Sequence, residues 1–366
     1  MTRTEAYLAL NLLPRIGPVR VRRLLEVFGS PELILAAKAS EIIRVEGFGR
    51  ELAETVAGWE STIDLSRELR RITEMEATVI TREDPLYPFL LKQTHTPPLV
   101  LYMWGQILEK DRNAVGVVGS RQATMYGLEI AKKMSFQIAC TGFTVVSGLA
   151  RGVDTAAHEG ALASKGRTIA VIGSGLGQLY PPENQGLAER ISRQGAVLSE
   201  FPIDCPPDKQ TFPLRNRIVA GWCSGLVVVE APLRSGSLIT ASQATEMGRA
   251  VYAVPGNIDR PTSAGCNRLI QQGAKLVMDG GDILDDLMSL FPTAPRAPSL
   301  RETPPMVELT ADEQAVFDAL GTEQSHIDQI TARSGLASAV VAATLMRLEM
   351  KRLVRPLPGL RYVKLV

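Results

Sequence analysis

From residue 113 to residue 290 the chain repeats one pattern. A short run rich in Val, Ile and Ala is followed by a turn and then by a segment long enough for a helix. The runs are Ala114–Val118, Thr144–Ser147, Thr168–Ile172, Ala196–Ser199, Leu226–Val229, Val251–Val254 and Lys275–Met278. Apolar runs that do not alternate with polar residues predict strands covered on both faces. Helix-length connections between them predict a mainly parallel sheet.

Residues 113–291 therefore read as one extended Rossmann-like α/β domain. In such sheets ligands sit beyond the carboxyl ends of the strands. The turns expected there are Gly119-Ser-Arg121, Gly148-Leu-Ala-Arg-Gly152, Gly173-Ser-Gly-Leu-Gly177 and Ser235–Thr240. On either side the pattern changes. Residues 1–72 read as short helices with two similar glycine turns, Leu13-Pro-Arg-Ile-Gly17 and Val45-Glu-Gly-Phe-Gly49, similar to paired helix-hairpin-helix units. Residues 73–112 are Pro-rich and read as an extended connector packed on the core. Residues 292–308 read as a semi-rigid Pro-rich linker. Residues 309–366 read as three helices and a glycine-tipped ribbon, a winged-helix pattern.

With 45% hydrophobic residues in 366, two or three domains can each bury a core. The formal net charge is only +1, so any cationic surface must be local. Residues 113–281 hold 16 Lys/Arg against 12 Asp/Glu, and residues 300–366 hold 8 of each. Cys140, Cys205, Cys223 and Cys266 form no Cys-x-x-Cys pair and read as reduced thiols. No apolar run approaches the ~18 residues a membrane span requires. Together these features predict a soluble cytoplasmic protein with no membrane contact.

The turn residues suit phosphate. Arg121, Arg151, Arg215 and Arg217 can each give forked, charge-assisted hydrogen bonds. Gly119, Ser120, Gly152, Ser235, Gly236, Ser237 and Thr240 offer amides and hydroxyls where the backbone can approach closely. Phe212 opens the segment Phe212-Pro-Leu-Arg-Asn-Arg217, and Asn216 lies between two cations with hydrogen-bonding capacity for a base or sugar. Arginines near a helix start oppose its dipole, so an anion or a carboxylate such as Glu200 or Glu230 is expected beside them. Asp154 reads as the N-cap of the following helix and His158 as a structural histidine; an acid–base pair is the less common arrangement. Gly173–Gly177 is a poor dinucleotide fingerprint, because Gln178 stands where the last glycine belongs. The chain has no Gly-Lys-Ser/Thr, no metal-ligand cluster and no nucleophile with a base beside it. No catalytic residue, metal or cofactor is expected.

Seven motifs in order resemble the DNA-processing protein A (DprA/Smf) family. They are Val117-Val-Gly-Ser-Arg121 with Thr124 and Tyr126-Gly127, Ser147–Asp154 with Ala157-His158, Thr168–Gly173 with Tyr180-Pro181 and Asn184, Ser199-Glu200, Phe212–Arg217, Ser235–Thr240, and Pro255-Gly256. The resemblance implies a non-enzymatic protein that binds single-stranded DNA, protects it during natural transformation and loads RecA recombinase onto it. It also implies a homodimer formed through the Rossmann domain. By position, the DNA-binding residues carried over are Gly119, Ser120, Arg121, Phe212, Arg215, Asn216, Arg217, Ser235, Gly236, Ser237 and Thr240. The chain departs from some relatives in having Pro182 where they carry a DNA-contacting lysine; the contact either passes to Lys209 or Lys165 or is lost. Two other readings stand beside this one. A nucleoside-phosphate enzyme of the lysine-decarboxylase-like group would need Pro-Gly-Gly-x-Gly-Thr, but Pro255-Gly256 is followed by Asn257. A transcription regulator would act through residues 309–366.

Overall fold

A computed structural model describes residues 1–290, 309–321, 324–351, 353–357 and 359–364. The chain forms two compact units, Met1–Ala297 and Pro298–Val366. In the first, the described strands form one sheet: β1 (Thr78–Thr81), β2 (Val100–Gly105), β3 (Ala114–Val118), β4 (Thr144–Ser147), β5 (Thr168–Ile172), β6 (Ala196–Ser199), β7 (Gly225–Val228), β8 (Ala250–Ala253) and β9 (Lys275–Leu276). Their order is β1-β2-β6-β5-β4-β3-β7-β8-β9. From β6 through β9 every neighbouring pair is parallel, whereas β1 and β2 are antiparallel additions at one edge.

The expected strands are all present, with β7 and β8 starting one residue earlier than the apolar pattern suggests and β9 ending two residues sooner. Residues 73–112, expected as a connector, do more than pack on the core: they supply β1 and β2. Pro85, Pro88, Pro97 and Pro98 lie between these strands and hide the strand pattern from a sequence reading.

Chain order fixes where the sheet changes direction. From β3 the chain moves outward through β4, β5 and β6, then returns to place β7 on the other side of β3. The reversal therefore lies between the carboxyl ends of β3 and β7, where an open α/β sheet leaves a crevice.

The N-terminal helices are α1 (Arg3–Leu12), α2 (Pro18–Phe28), α3 (Pro31–Ala36), α4 (Ala39–Ile42), α5 (Arg50–Ala57), α6 (Trp59–Thr62) and α7 (Leu65–Glu74). Gly17 and Gly49 stand at the N-caps of α2 and α5, at the two glycine turns. Leu8, Leu10, Leu24, Ile34 and Ile42 are buried in the same apolar cluster as Tyr102, Ala170 and Val197 of the sheet. That shared core makes the helical region and the sheet one unit. α8 (Phe89–Lys92) follows β1. α9 (Met125–Cys140), α10 (Val153–Ala163) and α15 (Gly280–Leu290) cover one face through Met134, Ile138, Ala157 and Leu287. α12 (Thr211–Trp222), α13 (Gly236–Glu246) and α14 (Ala264–Gln271) cover the other through Ile218, Trp222, Ala241 and Cys266. α11 (Gln185–Gln194) contributes Leu187 and Ile191 to the cluster shared with the N-terminal helices.

In the second unit, α16 (Ala311–Ala319), α17 (Ile327–Ser334) and α18 (Ser338–Met350) accompany a small antiparallel sheet. Its strands are β10 (Ser325–His326), β11 (Val354–Leu357) and β12 (Arg361–Lys364), in the order β10-β12-β11. This is a winged helix, with Val316, Ile330, Leu345 and Leu348 in its core. The expected linker at 292–308 lies outside the described residues.

At the amino end of the sheet, Asp111 is buried and nearly saturated with donors. Its carboxylate accepts from Thr144 Oγ1 (2.6 Å), Arg167 Nε and Nη2 (both 2.7 Å) and the Leu108 amide (2.8 Å). Removing one partner of such a group strands the other charge. We predict that Asp111→Ala lowers unfolding stability by about 3–5 kcal/mol. Urea denaturation checks this.

Candidate nucleic-acid interface

The reversal point is built from backbone first. The Ser120 amide donates to the Glu230 carbonyl at 2.7 Å, which ties the turn after β3 to the segment after β7. The Val153 amide donates to the Ser120 carbonyl at 3.2 Å, which ties the same turn to the start of α10. Gly152 makes that approach possible. Its φ is +78°, and a Cβ there would lie 2.3 Å from the Ser120 carbonyl oxygen. Glu230 is buried, and its carboxylate accepts from the Thr124 hydroxyl (2.6 Å) and amide (3.1 Å), fixing the start of α9.

Arg121 emerges from this pinned turn into solvent. Its guanidinium carbon lies 4.9 Å from the centroid of the Phe212 ring, within cation–π range. Among the described residues Arg121 forms no ion pair. Phe212 packs against Gly173 at the end of β5 and lies 6.0 Å from the Tyr180 ring at a 50° tilt. The Arg151 guanidinium lies 5.6 Å from the Tyr180 ring. Arg121, Phe212, Tyr180 and Arg151 thus form one continuous cation–aromatic row along the carboxyl rim. The mixed surface can hold phosphates by charge and bases by stacking.

The other two arginines of the motif face inward. Arg215 is buried, and its Nη1 donates to the Val171 carbonyl. Gly148 leaves the room it needs, since a Cβ there would lie 1.9 Å from Arg215 Nη1. Burial pulls the Arg215 guanidinium down to about 10, partly offset by the nearby Asp154 carboxylate. Asp154 is not the N-cap of α10, a position held by Gly152. Its carboxylate reaches back instead to the amides of Gly148 (3.1 Å) and Ala150 (3.3 Å). Burial raises the Asp154 carboxyl, with Arg215 opposing. Arg217 donates to both Glu200 carboxylate oxygens and to the Thr96 carbonyl. That pair is almost wholly inside, at 11% and 9% exposure. Glu200 is thus the partner of Arg217, but not for the reason expected. α12 begins at Thr211, so Arg215 and Arg217 lie inside the helix rather than at its start, and burial of the pair, not the helix dipole, calls for the carboxylate.

The remaining predicted residues are less closely joined. Lys209 is exposed one residue before Gln210, the N-cap of α12, while Asn216 is half-buried on α12. Lys165 follows α10 and precedes β5, so it lies at the opposite end of the strands from the rim. Ser235 caps α13, accepting from the Ser237 amide at 3.3 Å, with the two hydroxyls 2.7 Å apart. Ser237 and Thr240 are buried and Gly236 is exposed. The open side of this turn lines a shallow cavity of about 530 Å³ with Leu233, Arg234, Leu238, Ile239 and Ser242. Among the described residues, no hydrogen bond or ring contact joins it to the Arg121–Phe212 row. The glycines of the Gly173–Gly177 turn are used internally: the Gly175 amide donates to the Cys205 carbonyl (2.8 Å) and that of Gly177 to the Ile203 carbonyl (2.9 Å). Sequence reasoning did not single out Glu183, whose carboxylate accepts from Arg151 Nε.

His158 is fully buried, with Nδ1 2.7 Å from Thr168 Oγ1, and cannot serve as a surface acid or base. Burial, with Arg215 adding to it, pushes its imidazole down to about 3.

A Rossmann-type sheet with a cation–aromatic row along its carboxyl rim, preceded by helix-hairpin-helix elements and followed in the chain by a winged helix, defines a modular α/β protein. Residues 78–288 match the family of DNA recombination-mediator protein A. Residues 298–359 match its winged-helix domain, and residues 8–57 match the SAM-like helix-hairpin-helix tandem. Protein Smf from Synechocystis is 34% identical over 98% of this chain and 98% of its own length. The DNA processing protein A structure from Streptococcus pneumoniae aligns with a TM-score of 0.68 at 36% identity, covering 78% of this chain and 98% of that one. The Helicobacter pylori protein, whose structure describes a single-stranded DNA binding mode, aligns with a TM-score of 0.53 at 27% identity over 58% and 96% of the two chains. The chain belongs to the DNA-processing protein A (DprA/Smf) family. No helix among the described residues is long and apolar enough to cross a membrane.

Two predictions follow from the buried groups. Because the folded-state pKa of His158 is depressed, its contribution is fully present above pH 6.5 and is lost as pH falls toward 3. We expect stability to decline by about 1.4 kcal/mol per pH unit from this residue below pH 6, a slope that His158→Gln flattens in urea titrations. Gly148→Ala should displace Arg215 and cost about 1–3 kcal/mol in the same assay.

Proposed function

We propose that this protein binds single-stranded DNA along the row Arg121–Phe212–Tyr180–Arg151, without sequence preference and without chemical turnover. The observation that carries the reading is Arg121, a solvent-exposed, unpaired cation held over an aromatic ring at the carboxyl end of β3. Such a group meets a phosphate with one face and leaves the ring edge for a base. The turns holding it are pinned by backbone hydrogen bonds, so little ordering is required on binding. Ser120, Gly119 and Gly152 form that frame, and Lys209 extends the positive surface at the start of α12. Ser235, Gly236, Ser237 and Thr240 offer a further amide and hydroxyl surface at the start of α13. Arg215 and Arg217 act from beneath: the first supports the β4–α10 turn and the second anchors α12 to Glu200. Asn216, between them on α12, is the residue of the motif most suited to a sugar or base edge.

Membership of the family supports a role in DNA processing. As part of the same proposal, the protein acts in natural transformation in the cytoplasm, delivers the strand to RecA and forms a homodimer through the Rossmann domain. The nucleoside-phosphate enzyme reading has less support, because Asp154 and His158, its nearest acid–base candidates, are buried and already hydrogen-bonded.

Titration of a fluorescent oligothymidylate tests the site. Arg121→Ala is expected to cost about 1–3 kcal/mol of affinity and to reduce the salt slope by about one contact. Arg217→Ala is expected to lower thermal stability first, because it leaves Glu200 buried and unpaired. A chain ending at residue 299 should retain most of its affinity; loss of binding there would favour the regulator reading. Unchanged affinity in Arg121→Ala would reject the site.

A further inference from the structure

The outer end of the row differs from the inner end in one respect. Arg121 stands over its ring without a carboxylate, whereas Arg151 is engaged by Glu183. Arg151 Nε donates to Glu183 Oε1, Nη1 donates to the Tyr180 hydroxyl at 3.3 Å, and the guanidinium carbon lies 5.6 Å from the Tyr180 ring. Both members of the pair are 51% exposed. Arg217–Glu200, with side chains at 11% and 9%, is an internal lock. Arg151–Glu183 is open to solvent, and open ion pairs of this kind contribute little to folding.

Glu183 is nevertheless held in place. It belongs to the short 3-10 turn Pro182–Asn184. Asn184 Nδ2 donates to the Leu149 carbonyl (2.8 Å) and to Thr155 Oγ1 (2.9 Å), anchoring that turn to the loop before Arg151 and to the first turn of α10 after it. The hydrogen bond from Arg151 holds the Glu183 carboxyl below the usual carboxylate range. A carboxylate presents the same kind of anionic acceptor oxygens to a guanidinium as a backbone phosphate does.

We propose that Glu183 is a built-in competitor for the strand: its carboxylate occupies on Arg151 the position a backbone phosphate takes, and so sets how tightly and how salt-dependently the rim holds single-stranded DNA. This rests on the rim being a single-strand site. Binding then exchanges one anion for another at Arg151, so that cation releases no net counterion, and Arg121 carries more of the salt response than Arg151. The arrangement favours a strand that can be handed on over one that is held irreversibly.

The test is fluorescence anisotropy of the full chain with labelled oligothymidylate across a series of KCl concentrations, for wild type, Glu183→Gln, Arg151→Gln and the double variant. Glu183→Gln is expected to bind about 3- to 10-fold more tightly at low salt, with a log–log salt slope steeper by about 0.7, one further phosphate contact on a single strand. Arg151→Gln alone is expected to weaken binding, but by a smaller factor than in the Glu183→Gln background, where it removes the whole gain. Equal or weaker binding by Glu183→Gln, or the same cost of Arg151→Gln in both backgrounds, overturns the proposal while leaving the binding site in place. Absence of wild-type binding at the lowest salt overturns the site and this inference together. Thermal melting of the four proteins should agree closely, since the pair is exposed; a large loss in Glu183→Gln would make it a structural pair and end the idea.

Discussion

The Arg215 guanidinium, enclosed between Gly148, the Val171 carbonyl and the Asp154 carboxylate, is the contact on which the rim depends. It joins α12, the end of β5 and the β4–α10 turn at one point. A buried cation is costly unless its surroundings are arranged around it. Here three features are so arranged: a residue without a Cβ, a carbonyl at the end of a strand, and an acid that also receives two amides of the turn. Because these partners come from separate parts of the chain, they specify one position of the turn and so the place from which Arg151 leaves it.

A second consequence is a division among the cations. The chain is almost neutral, with a formal net charge of +1. Many surface arginines are already paired, as in Arg15–Glu51, Arg50–Glu54 and Arg3–Glu83. Arg121 and Lys209 are exposed and outside any ion pair among the described residues. At the row itself, Arg121 stands beside two aromatic rings, in a chain that carries no large excess of positive charge. On the reading proposed above, such a surface suits a flexible single strand, met through local contacts. It gives less to a stiff duplex, whose phosphates follow a fixed path and whose bases are stacked away.

The architecture was largely legible because its signals are local. Uninterrupted runs such as Thr168–Ile172 can only be strands covered on both sides, and their spacing requires helices between them. The motif that joins Phe212 to Arg217 identified the right helix. It could not distribute roles within that helix, because residues 215 and 217 differ only in the direction in which the helix points them. Two strands went unread because prolines divide the segment that carries them. Glu183 went unread because an acid in a proline-rich turn carries no pattern; only its meeting with Arg151, 32 positions away, gives it meaning.

The amino-acid sequence by itself determined the sheet, the order of its modules and the turns that lie along its carboxyl rim, since apolar periodicity and glycine placement act over a few residues at a time. The tertiary structure decided which cations face solvent and which are enclosed, and which carboxylate meets which guanidinium. Those outcomes depend on the desolvation and pairing of charges brought together across long chain separations, and neighbouring residues do not encode that.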